Sequence, residues 1–324
     1  MLNIKEIQEL VNSEINKIDF VIKPEELYAP IEYTLSQGGK RIRPVLCIMA
    51  AQLFNCDINK VMNPALGLEI FHNFTLLHDD IMDNAEVRRN NPTVHKKWNA
   101  NAAILSGDAM MIKAHQYICK CDAEKLPEAI GLFNDVALGV CEGQQYDMEF
   151  ETRSDVTVAE YIEMIRLKTA ILLAGSLKLG AILANASKED AELIYQFGLN
   201  IGLAFQLQDD YLDSFGNQDT FGKKIGGDII ANKKTFLLLT ALKKAQEEDK
   251  EDLNNLINTN NINAEEKIAE VKKIYKKLNV DIDSQNKMKE YFDIAINSLA
   301  QIKGDETVKQ ALNNFASKLM QRIN

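Results

Sequence analysis

An all-α fold is predicted for these 324 residues by three observations. Apolar residues recur at helical spacing almost throughout, strand-like alternation of Val, Ile and Thr is scarce, and there are only six prolines. The opening stretch MLNIKEIQELVNSE is amphipathic and has no apolar run of the signal-peptide kind. Helical pattern is then punctuated at SQGGKRIRP (36–44) and RRNNPT (88–93). Between the second break and SFGNQDTFGKKIGG (214–227) the periodicity continues; its most apolar part, AILLAGSLKLGAILANA, is interrupted by Lys178. That part falls short of the roughly 18–20 uninterrupted apolar residues a spanning helix needs, so no membrane span is predicted. The Asn-rich NLINTNNINAEE (255–266) lies in a charged region from about 243 to 290 that reads as a solvated helix-loop-helix face. None of these breaks has the look of a flexible linker, so residues 1–324 read as a single domain with a sizeable core, 46% of the residues being hydrophobic.

The formal net charge of −10 excludes a general nucleic-acid binder, which needs a basic field to displace counterions from phosphates. Phosphate chemistry here must use local basic clusters. The five cysteines are an odd set without a CxxC pair, which reads as free thiols in a reducing cytoplasm.

Two acidic motifs carry the chemistry. DDIMD holds Asp79, Asp80 and Asp83, and DDYLD holds Asp209, Asp210 and Asp213. Positions i and i+4 of a helix share a face, so Asp79 pairs with Asp83 and Asp209 with Asp213, each pair a two-carboxylate claw. Both claws sit among apolar residues, which predicts buried helices whose carboxylates face an interior cleft. Buried carboxylates call for a cation, and an all-oxygen donor set favours Mg²⁺, which is commonly held by one or two carboxylates together with substrate phosphate oxygens.

Each claw has basic companions. GGKRIRP supplies Lys40, Arg41 and Arg43, with Lys40 and Arg43 on one face if a helix starts after the glycines. Arg88 and Arg89 follow the first claw; Lys223 and Lys224 follow the second. Guanidinium forks grip phosphate bidentately and lysine adds a point charge. The pattern predicts metal-bound phosphate on one side of a cleft and metal-free phosphate on the other. His72 lies about 20° around the helix from Asp79 and can face the same cleft.

In this order GGKRIRPVL, HNFTLLHDDIMD, VRRNNPTVH, GDAMM, EGQQYD, RLKTA, FQLQDDYLDSFG and FGKKIGGDIIANKKT resemble the trans-isoprenyl diphosphate synthases, or polyprenyl synthetase family, over nearly the whole chain. The resemblance implies a bundle of about ten or more helices around a deep central cavity, the isoprenoid synthase type, and a homodimer. It implies head-to-tail condensation of isopentenyl diphosphate with an allylic diphosphate (dimethylallyl, geranyl or farnesyl). About three Mg²⁺ ions would be held by Asp79, Asp83 and Asp209, to which helical spacing adds Asp213. Lys40, Arg43, His72 and Arg89 match the isopentenyl diphosphate pocket; Arg88, Lys168, Thr169, Gln206, Lys223 and Lys233 match the allylic side. GKK leaves Lys223 and Lys224 as alternatives for one lysine. Asp79, Asp80, Asp83, Arg88, Lys168, Asp209 and Lys223 form the catalytic group. Departure of the allylic diphosphate would create a cation attacked by the double bond of isopentenyl diphosphate, with the released diphosphate taking the final proton, so no covalent nucleophile is required.

Product length would be set beneath the first claw. Thr75, Phe74 and Phe71 stand four, five and eight residues before Asp79. In the family an aromatic at the fourth position as well as the fifth stops growth at fifteen carbons, whereas a small one admits one more isoprene unit. Thr75 therefore favours geranylgeranyl diphosphate over farnesyl diphosphate. Helix geometry places Thr75 about 40°, Phe71 about 80° and Phe74 about 140° from Asp79, which makes Phe71 the deeper stop and leaves Phe74 to reach the cavity from its edge or to belong to the core.

Three rivals fit less well. A class I terpene cyclase needs a hydroxyl where NDVALGVCE (Asn134–Glu142) has Leu138. An HD-type phosphohydrolase, suggested by His78–Asp80, needs histidines arranged as metal ligands, and the chain has only four. A non-catalytic subunit of a heteromeric prenyl synthase would be expected to lose its aspartates, and both sets are present.

Overall fold

The computed structural model describes residues 1–216, 225–258 and 262–320. Helices account for nearly all of the regular structure: α1 Ile4–Asn16, α2 Glu25–Ser36, α3 Ile42–Leu53, α4 Ile58–Met82, α5 Val94–Lys97, α6 Ala100–Ile118, α7 Leu126–Thr152, α8 Val158–Ile165, α9 Ile171–Leu183 and α10 Lys188–Phe215. Further helices follow at Gly227–Ile230, Phe236–Lys244, Glu247–Asn258, Ala264–Lys277, Val280–Gln301 and Glu306–Met320. The predicted all-α class is observed. Among the described residues, none of these helices is long and apolar enough to cross a membrane.

The chain divides into two compact units. The first comprises residues 1–135, 175–194 and 303–309, and the second 136–174, 195–302 and 310–324.

In the first unit α1 starts on a capping box, in which Asn3 accepts from the amides of Lys5 and Glu6 while Glu6 accepts from the Asn3 amide. Reciprocal caps of this kind satisfy helix-end donors and are each worth about 1 kcal/mol. Ile7, Val11 and Ile15, spaced by one turn, give α1 its buried face. α3 is buried from Pro44 onward and α4 carries the first aspartate motif at its C-terminal end. Here α6 approaches closely: a Cβ on Gly107 would lie 2.1 Å from His78 Nε2, so only glycine admits the imidazole there.

In the second unit Tyr161, Phe150, Met164, Leu203, Leu207, Phe236 and Met288 pack into one cluster. A second cluster gathers Leu237, Leu238, Leu253, Val271, Ile274 and Tyr275. Between α8 and α9 the chain makes a π-helical turn, Arg166–Ala170, which is the RLKTA motif. Such turns widen the helix and re-aim the side chains on it. Gly143 makes it possible, since a Cβ on that residue would stand 2.3 Å from the Lys168 backbone nitrogen.

Candidate active site

In the first unit, α4 ends at Met82 with Asp83 as its C-cap, and the Asp83 amide donates to the Asp79 carbonyl at 2.9 Å, so the i,i+4 turn expected of the first claw is formed. Burial is uneven: Asp80 is 5% exposed, Asp79 is partly buried and Asp83 is exposed. Asp83 is exposed because it lies where the helix gives way to a turn. Arg88 explains the buried member. Its Nε donates to Asp80 Oδ1 at 2.7 Å and its Nη2 lies 3.6 Å from Asp79 Oδ2. Burial raises the Asp80 pKa, and the Arg88 charge opposes that rise.

RRNNPT is a hairpin, pairing Val87 with Pro92 and Arg88 with Asn91. Arg89 and Asn90 occupy its two loop positions with φ of 51° and 62°, the conformation that two-residue hairpin loops demand. The tight turn sends the two arginines to different partners: Arg88 to Asp80, and Arg89 to the Gly38 carbonyl.

The GGKR segment differs from expectation. α3 begins at Ile42, because Arg41 takes the left-handed conformation (φ 49°) and serves as N-cap. Lys40 consequently lies outside the helix, and the proposed shared helical face with Arg43 does not form. The cause is the Arg41 side chain, buried and held by Glu69 Oε1 at 2.8 Å, the Leu35 carbonyl at 2.6 Å and Asn12 Oδ1 at 2.9 Å. A buried guanidinium needs that many acceptors to offset its desolvation.

Arg43 Nη1 lies 3.1 Å from His72 Nε2. Because arginine can only donate, Nε2 is the acceptor and the neutral imidazole keeps its proton on Nδ1. Burial, followed by the charges of Arg43, Arg89, Arg88 and Arg41, holds His72 well below the usual histidine range. Burial also lowers the Arg43 pKa to about 10, with Arg89 adding to the fall against Glu69. In a chain of net charge −10, four arginines act on one partly buried histidine.

Beneath Asp79, Thr75 is partly buried and its Oγ1 donates to the His72 carbonyl at 2.8 Å. Phe71 is fully buried, with its ring 5.6 Å from that of Phe74 and 5.3 Å, edge-on, from Phe133 of α7. Phe74 also meets the His78 ring at 4.8 Å. His78 Nε2 lies 3.2 Å from the Ile104 carbonyl, so this histidine is absorbed by packing and the HD reading has no support from it. Asn134 of the cyclase-like near miss is likewise occupied, 3.1 Å from His115 Nε2.

The second unit carries the second aspartate motif on the last turns of α10. Asp210 is 5% exposed and accepts from the Tyr161 hydroxyl and from Gln206 Nε2, the latter at 3.0 Å. Burial, reinforced by the Asp228 carboxylate and opposed by Lys233, raises its pKa. Gln206 Oε1 accepts from Thr169 Oγ1 at 3.2 Å, and the neighbouring Lys168 pairs with Asp147 at 2.5 Å. The π-turn thus connects Thr169 to the motif helix through Gln206 and Lys168 to α7 through Asp147. Asp213 is buried, and its Oδ2 accepts the Asp228 amide at 2.9 Å, so it caps the short helix Gly227–Ile230 in addition to any ligand role. Lys233 is exposed. Lys223 and Lys224 lie outside the described residues.

Asp147 and Tyr161 escaped the sequence reading, and Arg41, named there with the basic cluster, proves to be the buried clamp of the loop. Asp147 ends the quoted EGQQYD, which was a usable signal; Tyr161 has none, its partner being 49 residues away.

The donors suit magnesium. Both motifs offer carboxylate oxygens and neither contains a thiol or an imidazole, and among the described residues no three of His, Cys, Asp and Glu converge on a metal position. A hard cation completing its shell with water and substrate phosphate needs no such triad.

The model of the polyprenyl synthetase family matches residues 24–278. The geranylgeranyl diphosphate synthase of Methanosarcina mazei is 40% identical over 243 residues, 74% of this chain and 75% of that protein. The geranylfarnesyl diphosphate synthase of Natronomonas pharaonis is 39% identical over 256 residues, with 74% and 75% covered. A crystal structure of a geranylgeranyl pyrophosphate synthase superposes with a TM-score of 0.94 at 40% identity, each chain covered in full. With both aspartate motifs, the paired arginines and the helical architecture in place, the chain belongs to the polyprenyl synthetase family and is a trans-prenyltransferase.

Proposed function

We propose that this prenyltransferase condenses isopentenyl diphosphate with dimethylallyl, geranyl and farnesyl diphosphates, releasing geranylgeranyl diphosphate, with residues 1–324 acting as one catalytic domain in the cytoplasm. The observation that carries this reading is Arg43 Nη1 at 3.1 Å from His72 Nε2, with the charge of Arg89 acting on both. Arg41 is neutralised by Glu69 and Arg88 by the first aspartate motif, which leaves Arg43, Arg89, Lys40 and His72 as the donors for a diphosphate that keeps no metal. Arg88 is instead tied to Asp79 and Asp80, which suits the allylic diphosphate. Lys168, Thr169, Gln206 and Lys233, with Lys223 or Lys224, would serve the same substrate.

Magnesium, about three ions held by Asp79, Asp83, Asp209 and Asp213, would supply Lewis-acid stabilisation of the departing diphosphate. The chain's own residues do the remainder. Arginines and lysines bind and orient the two diphosphates so that the double bond of one substrate meets the allylic carbon of the other, and the released diphosphate accepts the proton. The twenty-carbon product is argued from Thr75, a small residue one turn before Asp79, and from Phe71, whose ring packs on Phe133.

The two pockets are separable by kinetics. Arg43→Ala is expected to raise the KM for isopentenyl diphosphate about tenfold or more, with little change for the primer, and Arg88→Ala to act mainly on the primer. Equal effects of Arg43→Ala on both substrates would contradict the assignment.

A homodimer belongs to the same proposal. It is supported by α6, which exposes Leu105 and Ile112 at 60% each and Ile104 at 44%, apolar surface of the kind that partner chains cover. Leu105→Glu is expected to yield monomers in analytical ultracentrifugation at micromolar concentration. A wild-type protein already monomeric there would refute the dimer.

A further inference from the structure

α1 lies before the family-matched residues 24–278, yet its side chains reach the segment that carries the proposed isopentenyl diphosphate pocket. Gln8 and Asn12 are one helical turn apart and so share a face. Gln8 Nε2 donates to the Gly39 carbonyl at 3.2 Å, and Asn12 Oδ1 accepts from Arg41 Nε at 2.9 Å. The residues on either side of Lys40 are therefore both gripped by one face of one helix. From the other side Arg89 donates to the Gly38 carbonyl, so the loop is held between α1 and a pocket arginine.

Arg41 makes the grip consequential. Its left-handed backbone delays the start of α3 to Ile42 and fixes how Lys40 and Arg43 are presented. A non-glycine residue holds φ of 49° only where its surroundings over-determine it. Three acceptors from three elements do so here: Asn12 of α1, the Leu35 carbonyl of α2 and Glu69 of α4. Glu69 is itself oriented by Asn73 Nδ2 at 3.0 Å. Of the side chains in this clamp, only Asn12 comes from outside the matched residues.

We propose that Asn12, with Gln8 in support, is a positioning residue for isopentenyl diphosphate: by seating Arg41 and the Gly39 carbonyl, α1 sets the spacing of Lys40 and Arg43 around one diphosphate. The inference rests on the assignment of that diphosphate to Lys40, Arg43, His72 and Arg89. Its signature is selective, because α1 acts on one pocket only. The Michaelis constant for isopentenyl diphosphate should rise while that for the allylic primer and kcat stay put.

The test is steady-state kinetics on the full chain, varying isopentenyl diphosphate and geranyl diphosphate separately. Asn12→Ala is expected to raise the KM for isopentenyl diphosphate about tenfold and to leave the primer KM and kcat within about twofold. Asn12→Asp keeps an acceptor for Arg41 Nε and should restore the constant to within about twofold of wild type. Gln8→Ala, which removes a contact to a loop carbonyl, should raise it about threefold and decides the matter if Asn12→Ala does not fold. An unchanged KM for isopentenyl diphosphate in these variants, or parallel rises for both substrates, overturns the role of α1. Arg43→Ala run alongside separates the two claims. If it raises the same KM while Asn12→Ala and Gln8→Ala do not, the pocket stands and α1 is only structural. If Arg43→Ala leaves that KM unchanged, the pocket assignment itself falls.

Discussion

Asp79→Ala is expected to lower kcat about a hundredfold or more, with the helical circular dichroism spectrum unchanged. Asp79 stands on the last turn of α4, in reach of the Arg88 guanidinium and one turn before Asp83. Its proposed work is to hold magnesium against a diphosphate that gains charge as the carbon–oxygen bond breaks. Loss of a group acting where charge develops costs far more in the transition state than in substrate binding. Asp209→Ala should behave alike, since Asp209 is the proposed magnesium ligand that opens the second motif. Turnover near the wild-type level at saturating Mg²⁺ for either variant would remove that aspartate from the metal set. Folding should survive because Asp79 is partly buried at a helix end, whereas Asp80 carries the buried contact to Arg88.

The second large effect is on product length. Thr75→Phe should shift the product from twenty to fifteen carbons, because the new ring would stand one turn, about 6 Å, before Asp79 on the same side of α4. Phe71→Ala should lengthen it, although deleting a fully buried phenyl ring also costs about 3–5 kcal/mol of stability. Phe71 packs edge-on against Phe133, which fixes its ring, while Phe74 lies between Phe71 and His78 and meets both. Chromatographic sizing of products from geranyl diphosphate decides the point. A Thr75→Phe enzyme still releasing mainly the twenty-carbon diphosphate would show that growth is stopped elsewhere.

Much of this was legible in the residues, and the rest was hidden for identifiable reasons. Helical period, scarce proline and few strand-like runs were enough for the all-α class, because amphipathic spacing is a local property. The i,i+4 geometry of Asp79 and Asp83 followed for the same reason. Arg41 did not: its left-handed backbone depends on Asn12, Leu35 and Glu69, which come from three different elements, and no window around GGKRIRP contains them. Nor could RRNNPT announce a hairpin with an arginine at φ 51°, since that strain is held by the Arg89 contact to Gly38, 51 residues away. Asp213 reads as a ligand in the sequence and proves also to be a helix cap, because a buried carboxylate takes the nearest amide as well as any ion. Asp210 and Tyr161 make the same point for tertiary contacts, which pattern alone does not reveal.

The central claim, transfer of an allylic group to isopentenyl diphosphate, is tested most directly by incubating the purified protein with Mg²⁺, labelled isopentenyl diphosphate and geranyl diphosphate, and sizing the products. The account predicts label in geranylgeranyl diphosphate as the end product, with transient farnesyl diphosphate and no incorporation when Mg²⁺ is chelated. Failure to incorporate label into any allylic primer, dimethylallyl, geranyl or farnesyl, at saturating Mg²⁺ would contradict it.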